Sequence, residues 1–206
     1  LQVSRDGGAT WTEVSGNIGG VRTGTYVSRI TPSATAPGAA YAALDGHRDG
    51  DFAPYLFRTT DFGATWEPLV EGLPMEAGVV NDVIEHPDNP DALFLGTEHA
   101  LYASTDRGAT WARWPGLPTT HYDDILIHPR EKDLVLGTHG RSIWIVDDVM
   151  PLAEWTAEVA AAPAHLFSAR RATIFTYWKD TSYRGQAEFA GENPVDGAII
   201  TYKLGP

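Results

Sequence analysis

An eight-residue pattern written three times constrains this chain more than any other feature. It runs Ser4-Arg5-Asp6-Gly7-Gly8-Ala9-Thr10-Trp11, then Thr59-Thr60-Asp61-Phe62-Gly63-Ala64-Thr65-Trp66, then Ser104-Thr105-Asp106-Arg107-Gly108-Ala109-Thr110-Trp111. A hydroxyl residue, an Asp, a Gly, a Thr and a Trp hold fixed places in each copy. Self-similarity of this kind predicts a repeating architecture. The residue types predict a tight hairpin. Asp accepts hydrogen bonds from backbone N–H groups one or two residues on. Gly8, Gly63 and Gly108 supply the positive φ of a short turn. Thr and Trp open the next strand, with Trp11, Trp66 and Trp111 expected to plug the gaps between neighbouring sheets. Burying such an indole is worth roughly 3–5 kcal/mol against Ala. Asp6, Asp61 and Asp106 therefore read as hairpin locks rather than catalytic groups.

The text around the hairpins repeats as well. Val79–His86 reads as a strand closed by the turn from His86 to Pro90. Ala92–Thr97 and Leu101–Ser104 are the next two, and Thr110–Trp114 follows the hairpin as the fourth. The next unit repeats the scheme: His86-Pro87 and His128-Pro129 stand 42 apart, and Gly96-Thr97 and Gly137-Thr138 stand 41 apart. Earlier, Ser28–Pro32 and Ala40–Leu44 fill the first two slots. An insertion from Asp45 to Pro54 stretches the first hairpin spacing to 55, against 45 for the second. The last unit replaces the hairpin with Val146-Asp147-Asp148. Four short antiparallel strands per unit of this length is the period of a β-propeller blade.

Composition narrows the function classes. The chain holds 21 Gly and 14 Pro and lacks long helical periodicity, which favours short strands joined by turns. The formal net charge of −12 leaves no basic stripe to neutralise phosphates, so nucleic acid is not an expected partner. There is no Cys, which removes disulfide and thiolate chemistry. No apolar run reaches the about 18 residues needed to insert in a membrane as a helix. No leader is visible, and a chain opening at Leu1 on a strand predicts further blades before it.

The triplicate motif resembles the Asp-box (BNR) repeat of sialidase-like, xyloglucanase-like and sortilin-like propellers. Asp45–Tyr55 and the stretch from Gly137 to Asp148 resemble the last blades of large bacterial sortilin-like propeller proteins, often labelled glycosyl hydrolases. The tail from Gly191 to Tyr202 is similar to the start of the β-sandwich that follows such propellers. The resemblance implies an all-β fold. Residues 1–150 would be about three final blades, 151–165 a linker opposed to a long helix by Pro163, and 166–206 the start of a sandwich. Within the last part, Leu166 to Trp178 predicts a strand, Gly191–Pro194 a turn and Gly197–Leu204 another strand.

The implied role is a secreted or cell-surface propeller that binds a protein, peptide or glycan, located outside the cell, in a periplasm or on the cell surface. The alternative is part of a xyloglucanase-like glycoside hydrolase acting on polysaccharide. In such enzymes acid and base come from separate parts of the protein, so this piece alone is expected to be inactive.

Strand alternation sorts the loops onto two rims. The His-Pro turns and the Asp boxes share one, and the remaining turns and crossovers share the other, where ligands are expected. The candidate ligand-binding residues are Asp45, His47, Arg48 and Asp51 in the insertion, Glu98, His99, His121, His139 and Arg141. Asp123 and Asp124 are neighbours entering a strand, so their side chains should diverge. They read as a turn cap and a solvent-facing group rather than a catalytic dyad. Asp45, Asp49 and Asp51 miss the spacing of a Ca²⁺ loop, and Leu56 stands where its terminal Glu would be. Arg48 is expected to pair with a neighbouring carboxylate, and Arg141 with Asp147 or Asp148. His86 and His128 recur at the same turn and read as structural. No metal site and no cofactor is predicted.

Overall fold

In a computed structural model, residues 1–172, 174 and 197–205 are described. The chain forms two compact units, Leu1–Thr156 and Ala157–Pro206.

The first unit opens with β1 (Gln2–Val3) and β2 (Thr12–Glu13), a two-stranded hairpin around the first Asp box. A four-stranded antiparallel sheet follows: β3 (Tyr26–Pro32), β4 (Ala40–Asp45), β5 (Tyr55–Thr59) and β6 (Glu67–Pro68), in that spatial order. The second sheet repeats it with β7 (Val80–His86), β8 (Asn89–Thr97), β9 (Leu101–Ser104) and β10 (Ala112–Arg113). The third has β11 (Tyr122–Ile127), β12 (Leu134–Thr138) and β13 (Ile143–Val146). The first strand of each sheet lies innermost, with β7 packed against both β3 and β11. Sheets built this way and stacked in sequence are propeller blades.

Each inner strand carries a bulge at the same register. The breaks fall between Val27 and Arg29, between Val80 and Asp82, and between Tyr122 and Asp124. The residues after them pair with Ala43, Gly96 and Gly137. A bulge turns side chains that would otherwise alternate, and here it brings Arg29, Asp82 and Asp124 together.

The core lies between the sheets. Tyr41, Leu56, Val80, Val83, Leu93 and Leu95 fill the space between the first and second. Phe94, Leu101, Tyr122, Ile125, Leu134 and Leu136 fill that between the second and third. The fit is close enough that a Cβ on Gly96 would lie 2.5 Å from the carbonyl oxygen of Tyr122. Adjacent blades meet backbone to backbone there because Gly96 has no side chain.

Three details differ from the sequence reading. The fourth strands are shorter than Thr110–Trp114 suggests, because the Thr110 amide and hydroxyl are turned to Asp106 rather than to a ladder. Trp111 is buried, and its indole N–H donates to the Leu69 carbonyl of the preceding blade at 2.8 Å, whereas Trp11 is 61% exposed. Trp66 lies half-buried against a cluster including Ile18 from the preceding repeat. The Trp11 indole N–H turns back to the Gly8 carbonyl at 3.1 Å. Finally, the Ala-rich stretch forms α1 (Met150–Ala153) and, in the second unit, α2 (Ala157–Ala161). Alanine's helix propensity prevails over one turn each, with Pro151 tolerated in the first turn of α1.

In the second unit, β14 (Ala164–Leu166) pairs antiparallel with β15 (Tyr202–Leu204). Of the strand expected from Leu166 to Trp178, only Leu166 is in a strand, at the end of β14; residues 167–172 are described and belong to none, and the turn at Gly191–Pro194 lies outside the described residues.

Candidate functional site

The Asp-box rim is built identically three times. In the second copy, Asp61 accepts from the Thr65 amide at 2.9 Å, the Thr65 hydroxyl at 2.7 Å and the Thr59 hydroxyl at 2.9 Å. The Thr59 hydroxyl oxygen in turn accepts from the Gly63 amide at 2.9 Å. Asp6 with Thr10 and Ser4, and Asp106 with Thr110 and Ser104, repeat these bonds. The bonded amide lies four residues beyond the Asp, not the one or two expected, because two residues of each turn are left-handed. Those are Gly7 and Gly8, Phe62 and Gly63, and Arg107 and Gly108.

The donors also set the acidity. Thr10, by hydroxyl and amide, and Ser4 hold the Asp6 carboxyl down at about 2. The Thr65 amide and hydroxyl, with Thr59, hold Asp61 at about 2. Burial opposes the shift at Asp106, but its own Thr110 and Ser104 bonds outweigh it and the carboxyl is lowered. A carboxylate held ionised by local donors is a poor proton shuttle. Each of the three is spent on its own turn.

The same rim holds a knot the sequence reading missed. Glu85 is buried, and accepts from the Ser33 hydroxyl at 2.9 Å, the Thr35 hydroxyl at 2.7 Å and the Tyr41 hydroxyl at 2.8 Å. Burial, then Glu85, push the Tyr41 phenol well above its ordinary range. His86 is buried with Nδ1 accepting the Asp88 amide at 3.1 Å, and His128 accepts the Glu131 amide at 3.0 Å. Both serve the turns that hold them. Between the β1–β2 hairpin and the first sheet lies a cavity of about 220 Å³, lined by Val3, Val14, Ile30, Phe62 and Trp66 among others. Its apolar wall gives a ligand little to orient by.

The opposite rim collects the candidate residues. Asp45 takes the His47 amide at 2.8 Å and its ring Nδ1 at 2.6 Å, closing the start of the insertion. Among the described residues Arg48 does not pair with a carboxylate: its guanidinium stands 5.7 Å from the ring centre of Tyr26, and Arg22 takes Asp49 at 2.8 Å instead. Asp51 accepts from the Tyr55 hydroxyl at 2.8 Å and the Ala53 amide at 3.1 Å. Glu98 accepts the Val79 amide at 3.1 Å. It fills the space over Gly78, whose φ of 74° favours glycine.

His99, His121 and His139 come together from three loops. The first two ring centres are 6.5 Å apart and the last two 6.0 Å. Asp123 lies 3.6 Å from His139 Nδ1. Arg141 is exposed and contributes its carbonyl to the Trp144 indole at 2.9 Å. Among the described residues it pairs with neither Asp147 nor Asp148, the expected partners, and Asp148 accepts the Met150 amide at 3.2 Å.

Between the two rims Arg29 ties the inner strands together. Its Nε stands 2.7 Å from Asp82 Oδ1, and its other end reaches Asp124. Asp82 also accepts the Val83 and Ile125 amides at 2.8 Å each. Burial raises the Asp82 carboxyl, while Ile125, Arg29 and Val83 pull against that rise. Burial likewise opposes the charge on Arg29, but Asp82 and Asp124 outweigh it and raise the guanidinium further. Asp123 and Asp124 do diverge, one to His139 and one to Arg29, so neither caps a turn. The sequence offered one signal for this cluster: Asp82 and Asp124 each stand four residues before a turn histidine. Arg29 carried no such mark.

A model of the BNR/Asp-box repeat matches residues 2–13. With three such boxes, one on a hairpin and two closing four-stranded sheets, and the sheets stacked in sequence, the matter of fold is decided. The chain resembles Asp-box β-propellers. Solved structures similar to it include the GH74 enzyme of Niastella koreensis, at 19% identity and TM-score 0.49 over 59% of this chain and 21% of that one. The GH74 xyloglucanase of Xanthomonas campestris is similar at 21% identity and TM-score 0.48, over 69% of this chain and 23% of that one. YCF48 bound to D1 peptide is similar at 18% identity and TM-score 0.44, over 61% and 39%. The chain thus spans between 21% and 39% of the length of these three structures. No curated protein matches its sequence.

Proposed function

We propose that this chain belongs to a secreted or cell-surface propeller of sortilin-like type that binds a protein, peptide or glycan on the rim away from the Asp boxes. One observation carries the preference for binding over hydrolysis. The rim's carboxylates Asp45, Asp51 and Glu98, and Asp82 and Asp124 between the rims, are already engaged by His47, Tyr55, the Val79 amide and Arg29. Glycoside hydrolysis needs two carboxyl groups free to exchange protons across a gap of about 5–10 Å. Groups committed to neighbouring donors serve a recognition surface better. Tyr26 and Phe52 add aromatic area to that rim at 59% and 58% exposure. Exposed rings beside polar groups suit either a sugar face or a peptide side chain.

The test is a peptide and glycan array probed with the wild type and with Tyr26→Ala and Arg48→Ala. Binding that both substitutions weaken supports the reading. Release of sugar from a xyloglucan or related polysaccharide panel by the wild type would overturn it in favour of a hydrolase.

A further inference from the structure

We infer that His86 and His128 make the docking of residues 149–155 depend on pH, holding that segment on the blades when both imidazoles are neutral and releasing it when they take up protons. The inference stands apart from ligand recognition and does not depend on it. The two histidines sit in the turns that join β7 to β8 and β11 to β12, and both turns reach the same stretch of chain.

The ties come from each turn in a different way. Asn89, which pairs with His86 across the first turn, donates from Nδ2 to the Leu152 carbonyl at 2.7 Å and the Trp155 carbonyl at 3.1 Å. In the second turn the Lys132 carbonyl accepts the Val149 amide at 2.9 Å, and Asp133 accepts the Asp148 amide at 3.0 Å. Lys132 Nζ lies 3.0 Å from Asp88 Oδ2, which joins the two turns. Val149 is buried, and Leu152 packs on the same cluster between the second and third sheets. Within the segment α1 is one turn long, too short to persist without these ties.

Each turn requires a neutral ring. His86 Nδ1 accepts the Asp88 amide at 3.1 Å, and His128 Nδ1 accepts the Glu131 amide at 3.0 Å. The lone pair that takes the amide is the one a second ring proton would occupy. Protonation therefore sets N–H against N–H and opens the turn. At His86 the cost is greater, because the residue is 0% exposed and its Nε2 has no hydrogen-bond partner among the described residues. A charge on that ring is buried with one donor unmet. Burial holds the His86 imidazole below its ordinary value, against the pull of Asp88 and with help from Lys132.

The other charged groups around these turns are engaged. Arg130 takes Glu131 at 2.6 Å, Lys132 takes Asp88, Arg107 takes Asp91 at 2.7 Å, and Asp133 and Asp148 accept backbone amides. Glu154 is the charged residue of the docked segment itself. A protonated His86 adds a second cation beside Asp88, which Lys132 already neutralises. The closed turn keeps His86 neutral and the open one binds the proton more readily. The hold is thus complete above the ordinary value of 6.5 and is lost as the pH falls below it.

Hydrogen exchange of the 206-residue chain, corrected for the intrinsic rate at each pH, tests this. Protection of residues 149–155 should fall about tenfold or more between about pH 7.5 and about pH 5, while residues 93–97 in β8 keep theirs. The double variant His86→Asn with His128→Asn retains a side-chain oxygen for the turn amides, as Asn89 supplies one to the Asp91 amide at 3.0 Å, and has no ring to protonate. Its protection of the segment should change less than about twofold over that range. Asn89→Ala should leave the segment poorly protected at both ends of the range. Wild-type protection that ignores pH would overturn the inference, as would an equal loss in β8 or a pH dependence that survives in the double variant. Should the double variant fail to fold at neutral pH, His128→Asn alone, at the half-buried ring, must flatten the response, or the inference fails.

Discussion

Arg29 Nε lies 2.7 Å from Asp82 Oδ1 and so joins the inner strands of the first and second blades. Asp82 is 3% exposed in its side chain, and through the Ile125 amide it also reaches the third blade. A buried carboxylate stripped of its cation is costly, because its desolvation is no longer offset. Arg29 is itself 34% exposed, which reduces the loss. Arg29→Met should therefore lower stability by about 2–3 kcal/mol in urea unfolding. Asp124→Asn, at a side chain 72% exposed, should cost less than about 1 kcal/mol. Burial already raises the Asp82 carboxyl, and losing Arg29 raises it further. Protonation then relieves the buried charge, so the Arg29→Met deficit should shrink as the pH is lowered.

Gly96 and Gly137 occupy the same slot of successive blades, opposite Asp82 and Asp124. A methyl group at Gly96 meets the Tyr122 carbonyl at 2.5 Å, while at Gly137 its nearest contact is 3.6 Å. Gly96→Ala must push two blades apart and should cost about 1–3 kcal/mol. Gly137→Ala should be neutral or stabilising by about 0.5 kcal/mol, since Ala is the less costly residue to order in a strand. Thermal melts of the pair measure the contrast within one protein.

Trp111 and Trp11 share a motif position but not an environment. Trp111→Ala removes a buried indole and should cost about 3–5 kcal/mol. Trp111→Phe keeps most of the ring but strands the Leu69 carbonyl, for about 1–2 kcal/mol. Trp11→Ala should cost less than about 1 kcal/mol. Urea midpoints of the three variants test whether the motif's Trp acts through the preceding blade.

The Asp boxes also set an acid dependence. Asp61 is held at about 2 against an ordinary 3.8, so its bonds favour the folded state above the ordinary value. That contribution is lost as the pH falls through the interval between the two. The wild type should therefore unfold at higher urea than Asp61→Asn at pH 6, and the two curves should converge as the pH falls toward 2. A gap that persisted in acid would mean the carboxylate's charge is not the source of the effect.

How much of this was legible in the sequence depended on whether a residue acts locally or across blades. The Asp-box turns were readable because Asp61, Thr65, Thr59 and Gly63 bond to one another within a few positions. The inner and outer strands followed from the spacing of the His-Pro and Gly-Thr pairs. His99, His121 and His139 were singled out one by one, but their meeting depends on how two blades stack, which no local pattern encodes. Arg29 was missed for the same reason: its partners are 53 and 95 residues away in the sequence. The Glu85 knot was hidden because a Glu in a strand reads as a solvent-facing residue until the loop around Thr35 folds over it. The Ala-rich stretch misled in the other direction, since a proline that forbids a long helix still permits two short ones.

The central claim is that the thrice-repeated Asp holds the blades while recognition lies on the far rim. The most direct measurement combines a urea midpoint with array binding for the double variant Asp61→Asn with Asp106→Asn. The account predicts a lowered midpoint and, under conditions where the variant is folded, a ligand profile unchanged from the wild type. An unchanged midpoint with binding abolished would contradict it and place the function in the Asp boxes.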